Sequence, residues 1–327
     1  MGPLRIVAIG GGTGLSTLLH GLKRYAREPR EIEITAVVTV TDDGGSSGRL
    51  RRDFDVLPPG DIRNCMVALS EDEALLSKLF QYRFAEGRGL KGHSFGNLFV
   101  AALAHITGDF AQAVKVSSEI LASVGRIYPA TADNVVLEAV LENGDVIAGE
   151  TRISKSQSRI RSIRLLPATC KPLPETLAAI AEADLITLGP GSLFTSVVPN
   201  LLVHEIPSAI QRSPATKAYF ANLMWQPGET TGFTASDHVE AIHRHAGMRL
   251  LDLVIVNESL IPPSRRRKYA LQKARPVVND VDRLKQAGLE VVCADLLGEG
   301  PTVRHNPEAT AAVAVELARR ARVAALA

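Results

Sequence analysis

Short runs rich in Val, Ile and Leu recur along the chain, and each is followed at once by glycine or a small polar residue. The runs are Arg5–Ile9, Ile34–Val40, Leu185–Leu188, Lys217–Ala221, Leu251–Val256 and Glu290–Ala294. Apolar runs of this length without polar alternation describe strands covered on both faces, the habit of a parallel sheet. Between them lie segments with helical apolar spacing: Ser16–Arg27, Ile62–Leu69, Glu73–Phe84, Asn97–Ile106, Phe110–Leu121, Pro174–Ala181, Thr234–His245 and Asp280–Ala287. Strand and helix in alternation predict a Rossmann-like three-layer α/β/α fold with a mostly parallel sheet. At 327 residues a chain buries about three quarters of its extended surface, so it needs no disulfide or structural metal.

One stretch departs from this pattern. Asn143-Gly144 separates two β-prone runs, Val135–Glu142 and Asp145–Ile153, and Ile160–Leu166 follows. Asn-Gly is the strongest short hairpin signal, with positive φ expected at both turn residues. We expect a small antiparallel insertion at about 134–166 within a single α/β domain spanning 1–327, either capping the sheet or forming a homodimer surface. Pro307–Ala327, rich in Ala, predicts a terminal helix.

Composition removes several classes of function. Net charge is +2 with the signs interspersed, and aromatics are 5%, so neither a nucleic-acid polyelectrolyte nor a base-stacking surface is expected. The basic cluster Arg265-Arg266-Arg267-Lys268 reads as a solvated helix face. No stretch approaches the ~18 unbroken apolar residues of a membrane span. Cys65, Cys170 and Cys293 are far apart and form no metal or disulfide pattern, which suits a reducing, cytoplasmic setting.

The polar residues collect at the strand ends. Gly10-Gly11-Gly12-Thr13-Gly14-Leu15-Ser16 follows the first run and Thr41-Asp42-Asp43-Gly44-Gly45-Ser46-Ser47-Gly48 the second. Gly189-Pro190-Gly191-Ser192, Asn222, Asn257 and Asp295 follow later ones. In a parallel sheet these positions share the carboxyl rim, where open α/β folds bind ligands. The first loop is only a partial dinucleotide fingerprint, because Leu15 stands where the third glycine belongs, and it lacks the Lys of a P-loop. Its physics is still that of a phosphate or diphosphate cradle at a helix N-terminus near Leu15. A Cβ at Gly12 or Gly14 is expected to abolish binding while sparing the fold. Asp42 and Asp43 suit ribose or sugar hydroxyls, or Mg²⁺ against a diphosphate. Gly44–Gly48 suggests a mobile loop closing on ligand. Pro58-Pro59-Gly60-Asp61, leading to Asn64, and Gly92-His93-Ser94-Phe95-Gly96-Asn97 open helices in the same style. The latter fits the nucleophile-elbow pattern but lacks the buried strand that an elbow requires. His238, His243 and His245 lack metal-pair spacing and read as surface or packing residues.

Taken together, these motifs resemble the YvcK branch of the CofD-like family, as do Leu188–Ser192, Asn222-Leu223-Met224, Gln226-Pro227-Gly228-Glu229-Thr230 and Thr234–His238. The resemblance runs from about Arg5 to Asn306. It implies one nucleotide site on the carboxyl rim, UDP-N-acetylglucosamine as ligand with no required cofactor, and a regulator of cell-wall precursor supply, carbon metabolism and cell shape that works with a protein partner. The implied ligand set is Gly11, Gly12, Thr13, Gly14, Leu15, Thr41, Asp42, Asp43, Asn64, His93, Ser94, Asn97, Gly189, Gly191, Ser192, Asn222 and Arg304. The sister branch, CofD, implies an alternative: an Mg²⁺-dependent transferase of a phospho-acyl or nucleotidyl group, using Asp42 and Asp43. A third reading is an NAD(P)-binding protein. Asn306 stands where the pattern has Asp, which bears on the neighbouring Arg304.

Overall fold

The computed structural model describes residues 2–326 apart from 28–29, 72–74 and 157. It begins with β1 (Leu4–Gly10), α1 (Gly12–Leu22) and β2 (Ile32–Val38), then helices α2 (Gly45–Phe54), α3 (Gly60–Leu69), α4 (Leu75–Gln81), α5 (Phe95–Thr107) and α6 (Phe110–Ile120). Next come β3 (Arg126–Pro129), β4 (Val136–Leu141), β5 (Val146–Ala148), α7 (Glu150–Lys155) and β6 (Ile160–Leu166). The remaining strands are β7 (Leu185–Leu188), β8 (Thr216–Phe220), β9 (Leu253–Asn257) and β10 (Glu290–Ala294), with helices between them and a last helix over Pro307–Leu326.

The main sheet is parallel, in the order β10-β9-β8-β7-β1-β2-β3. β1 is central: Ile6 lies opposite Ile34 on one side and Leu185 on the other. Its apolar side chains are buried on both faces, as expected of a strand between two helical layers. The chain builds outward from β1 through β2 and β3, then returns to β1's other edge with β7. The sheet therefore has its topological switch point between β1 and β7, where the loops after two adjacent strands part and leave a crevice.

Several elements differ from expectation. β3 was not apparent in the sequence because Arg-Ile-Tyr-Pro is short and mixed, as an edge strand can be. The hairpin joins β4 and β5, but only Gly144 has positive φ (+91°), and the Gly144 N–H donates to the Leu141 carbonyl. This is a three-residue loop closed by glycine rather than a two-residue turn. The expected strand Asp145–Ile153 stops at Ala148, because Gly149 (φ +95°) turns the chain into α7. α1 starts at Gly12, earlier than expected. The start of the Glu73–Phe84 prediction lies outside the described residues, and its helix runs Leu75–Gln81. The basic cluster does lie on a helix, Pro263–Ala270, none of whose residues is buried.

The largest correction concerns Gly44–Gly48, the expected mobile loop: Gly44 is the cap of α2 and Gly45–Gly48 its first turn. Glycine and serine are poor helix formers, so tertiary bonds must hold this turn. Asp42 Oδ1 accepts from the Gly44 N–H (2.9 Å), Ser46 Oγ lies 3.0 Å from His93 Nδ1, and Asn97 Nδ2 donates to Ser47 Oγ (3.3 Å). Among the described residues, no single helix is long and apolar enough to cross a membrane.

Candidate functional site

A cavity of about 580 Å³ opens at the β1/β7 switch point, within the usual range for small-molecule sites. One wall is the glycine loop, Gly11 to Gly14, running directly into α1, whose first N–H groups and dipole make that end attractive to anions. Gly12 has φ +60°, a conformation costly for other residues, and a Cβ there would meet only Ser196 Oγ at 3.5 Å. Gly14 is glycine for a different reason. Its Cβ would fall 2.4 Å from the Pro190 carbonyl oxygen and 2.7 Å from Gly191 Cα. The loop after β7 thus lies directly on the loop after β1, and a side chain at Gly14 would force them apart.

The opposite wall is a chain of side-chain amides and hydroxyls. Tyr219 Oη donates to Asn222 Oδ1 (2.9 Å), and Asn222 Nδ2 donates to the Gly191 carbonyl (3.1 Å) and Gln226 Oε1 (3.3 Å). Gln226 Nε2 in turn donates to Ser192 Oγ (2.5 Å). Val303, Arg304 and His305 close the cavity from the segment before the terminal helix. Asn306 caps that helix, its Oδ1 accepting from the Ala309 N–H (3.0 Å), so Arg304 is not the cap. His305, desolvated and bonded to the Ala221 backbone, has its pKa lowered to about 4 and is neutral at pH 7, with Nε2 buried and unpartnered.

The third wall is acidic, and sequence reading did not place it in the ligand set. Asp61, Glu150 and Glu229 all line the cavity. Burial, then the charge of Asp42, pushes Asp61 up to about 7, although a hydrogen bond from the Gly12 backbone opposes the shift. Burial, then Asp61 and Asp42, lifts Glu150 well above the carboxylate range. Glu229 is pushed up to about 7 by burial; Oε1 accepts from Ser154 Oγ (3.4 Å), while Oε2 is buried without a partner. Asp61 and Glu229 sat inside motifs already singled out, Pro-Pro-Gly-Asp and Gln-Pro-Gly-Glu-Thr. Glu150 carries no sequence signal, because Asp145–Ile153 has the pattern of a strand where the chain forms α7. The antiparallel insertion therefore delivers Glu150 and Ser154 to this cavity.

The structure brings Gly11, Gly12, Thr13, Gly14, Gly191, Ser192, Asn222 and Arg304 together on the cavity walls. It places the other expected ligand residues elsewhere. Leu15 is fully buried in the core, and Gly189 (φ +73°) sits where the chain turns out of β7. Thr41 is buried and donates to Glu150 Oε2 (3.0 Å), so it reaches the cavity only through that carboxyl. Asp42 is not among the lining residues and acts on Asp61 through its charge, and Asp43 Oδ1 accepts from the Thr151 N–H at the start of α7 (2.8 Å). His93, Ser94 and Asn97 are buried beside α2. The Ser94 hydroxyl accepts from Arg63 Nη1 (2.7 Å) and donates to the Phe80 carbonyl (3.1 Å). Asn64 borders a different cavity. His238, His243 and His245 hold backbone: Nδ1 of His238 lies 2.8 Å from the Thr234 carbonyl, and Nε2 of His243 and His245 accept from Leu251 and Ile163 N–H groups.

Among the described residues no group of three or more His, Cys, Asp or Glu side chains is arranged to hold a metal ion. Mg²⁺ commonly needs only one or two carboxylates, completing its shell with water and substrate phosphate. Asp61, a hard oxygen donor beside the glycine loop with the charge of Asp42 acting on it, fits that role.

Comparison with known proteins identifies the family and the fold. Residues 6–297 match the family described as 2-phospho-L-lactate transferase CofD. The chain is 48% identical to the gluconeogenesis factor of Bacillus subtilis over 314 residues, covering 96% of this chain and 98% of that one. It is likewise 48% identical to the gluconeogenesis factor of Halalkalibacterium halodurans, with 92% of each chain covered. A crystal structure of a UPF0052-family protein from Bacillus halodurans superposes with a TM-score of 0.92 at 46% identity, covering 96% of this chain and all of that one. The chain belongs to the CofD family, in the branch of the gluconeogenesis factors.

Proposed function

We propose that the chain is a nucleotide-sugar-binding regulator of metabolism, with UDP-N-acetylglucosamine as its ligand. The observation that carries this reading is the switch-point cavity. It offers an anion-attracting glycine loop on one wall and Arg304 and a neutral His305 at its edge. The diphosphate would lie on the N–H groups of Gly11–Gly14, and the amide chain Asn222-Gln226-Ser192 would read donors and acceptors of the base or sugar. Glu229 Oε2, unpartnered, would accept from a ligand hydroxyl or amide N–H. The name carried by the relatives supports a role in carbon metabolism. A cytoplasmic setting, a homodimer, a protein partner, and control of cell-wall precursor supply and cell shape belong to the same proposal.

Calorimetry with UDP-N-acetylglucosamine, UDP-glucose, GDP, NAD and NADP tests it. The first should bind most tightly, and at 100 times its Kd should stabilise the fold by about 2.7 kcal/mol. Preference for NAD or NADP would sink the reading.

A second reading, an Mg²⁺-dependent transferase, is favoured by one observation: the Asp61 carboxyl, under the charge of Asp42, stands beside the loop that would hold the diphosphate. Mg²⁺ bound there would neutralise phosphate charge, and the chain's own part would be positioning. Binding that survives chelator but weakens in Asp42→Asn supports the regulator. Strict dependence on Mg²⁺ supports the transferase.

A further inference from the structure

A second cavity, about 640 Å³, lies on the other side of α1, between that helix, α3 and α4. It shares Thr13 and Thr17 with the switch-point cavity, so the two are neighbours across one turn of helix. Its character is different. His20, Lys23, Arg63 and Arg83 line it, and among the described residues no carboxylate and no Phe, Tyr or Trp does. Arg63 and Arg83 form no ion pair with the described residues. Arg63 spends Nη1 on Ser94 Oγ (2.7 Å) and Nη2 on Asn64 Oδ1 (2.6 Å), leaving Nε buried and unpartnered. Arg83 gives Nη1 to the Gly92 carbonyl (2.7 Å), a neutral acceptor. Two guanidinium groups lining one cavity, with no carboxylate among its described lining residues, favour an anion between them. Arginine's planar fork suits phosphate oxygens, and the hydroxyls of Ser16 and Thr17 suit a polyhydroxyl body. With the His20 imidazole and no Phe, Tyr or Trp among the described lining residues, a nucleobase gains little stacking here.

We propose that this cavity is a second ligand site, taking a small phosphomonoester of a polar, sugar-like molecule, held by Arg63, Arg83 and His20. The site is separate from the nucleotide-sugar site and does not depend on what that site binds. Because α1 walls both cavities, the second site is placed to report on a phosphorylated metabolite beside the first.

The test is calorimetry of the full chain with glucose 6-phosphate, inorganic phosphate, glucose and citrate as probes. Glucose 6-phosphate should bind saturably, inorganic phosphate more weakly and glucose not at all. Arg83→Glu should lose about tenfold or more in affinity, the scale of a hydrogen bond to a charged group. Arg83 is exposed, which favours a folded variant. His20→Glu, also at an exposed position, serves as the second variant and should weaken binding likewise. Arg304→Ala, in the other cavity, should leave glucose 6-phosphate affinity unchanged. Three results would overturn the proposal: no saturable binding of glucose 6-phosphate, equal affinity in wild type and both charge-reversal variants, or loss in Arg304→Ala alone. Citrate binding as tightly as the ester would overturn the phosphomonoester class.

Discussion

Glycines a residue apart in one loop do different work. Gly12 answers a torsion, since its φ is positive while the space around it is open; Gly14 answers a contact, the Pro190 carbonyl. The expectation that a Cβ at either position spares the fold therefore holds best for Gly12. Gly12→Ala should cost about 1 kcal/mol, the scale of a left-handed residue. Gly14→Ala should cost more than that, because backbone must move. Thermal melts without ligand check the order, and equal losses would contradict it. Arg304 makes a separate prediction. With Asn306 as the helix cap, Arg304→Ala should leave stability unchanged while losing about 1.5–3 kcal/mol of UDP-N-acetylglucosamine affinity. Arg304→Lys should recover only part, since an ammonium cannot form the bidentate fork. Unchanged affinity in Arg304→Ala would remove the residue from the site.

Elements show where local propensity was overruled. The Gly-Gly-Ser-Ser-Gly segment lacks helix formers, yet α2 forms because Asp42, His93 and Asn97 supply its hydrogen bonds. Gly48 shows how tight that packing is: its Cβ would lie 1.9 Å from the Asp43 carbonyl oxygen. α7 depends on the same corner, its Thr151 N–H bonded to Asp43 Oδ1. Asp43→Ala should remove that bond and cost about 1 kcal/mol, the value of a lost cap. Urea unfolding of the ligand-free protein measures it. Unchanged stability would free Asp43 for the ligand role that its sequence position suggests.

For the whole molecule, burying carboxyls at the switch point has a consequence for pH. Glu229 titrates near 7 in the folded chain against an ordinary 4.5, so between those values the folded state holds a proton that the unfolded state has released. Folding is then favoured at low pH, and this contribution falls as pH rises through the window, by roughly 3 kcal/mol in total. Glu229→Gln removes the titration. The stability lost between about pH 5 and about pH 8 should be smaller in the variant than in wild type. Parallel losses would show that Glu229 is not the group responsible. His305, lowered to about 4, works in the opposite sense below its ordinary 6.5, which is why the variant comparison is the informative one. Ligand binding should narrow the Glu229 drift further if its carboxylate accepts from the ligand.

The parallel sheet, its strand order apart, was legible from the apolar runs because strands buried on both faces must be apolar throughout. The glycine loop was legible because few structures other than a close backbone approach demand so many glycines. Strand order decided that the loops after β1 and β7, far apart in the chain, form one crevice, and no local pattern encodes that adjacency. The acidic wall is likewise a product of the tertiary structure. Asp61, Glu150 and Glu229 come from three elements, and their raised pKa values arise from burial that only the assembled fold supplies. His93, Ser94 and Asn97 mark the converse: their motif is visible in sequence, but packing against α2 and Arg63 engages the His93 ring, the Ser94 hydroxyl and the Asn97 amide N–H inside the protein. Sequence tells which residue types can meet an anion. Burial and neighbours decide which of them are left free to do so.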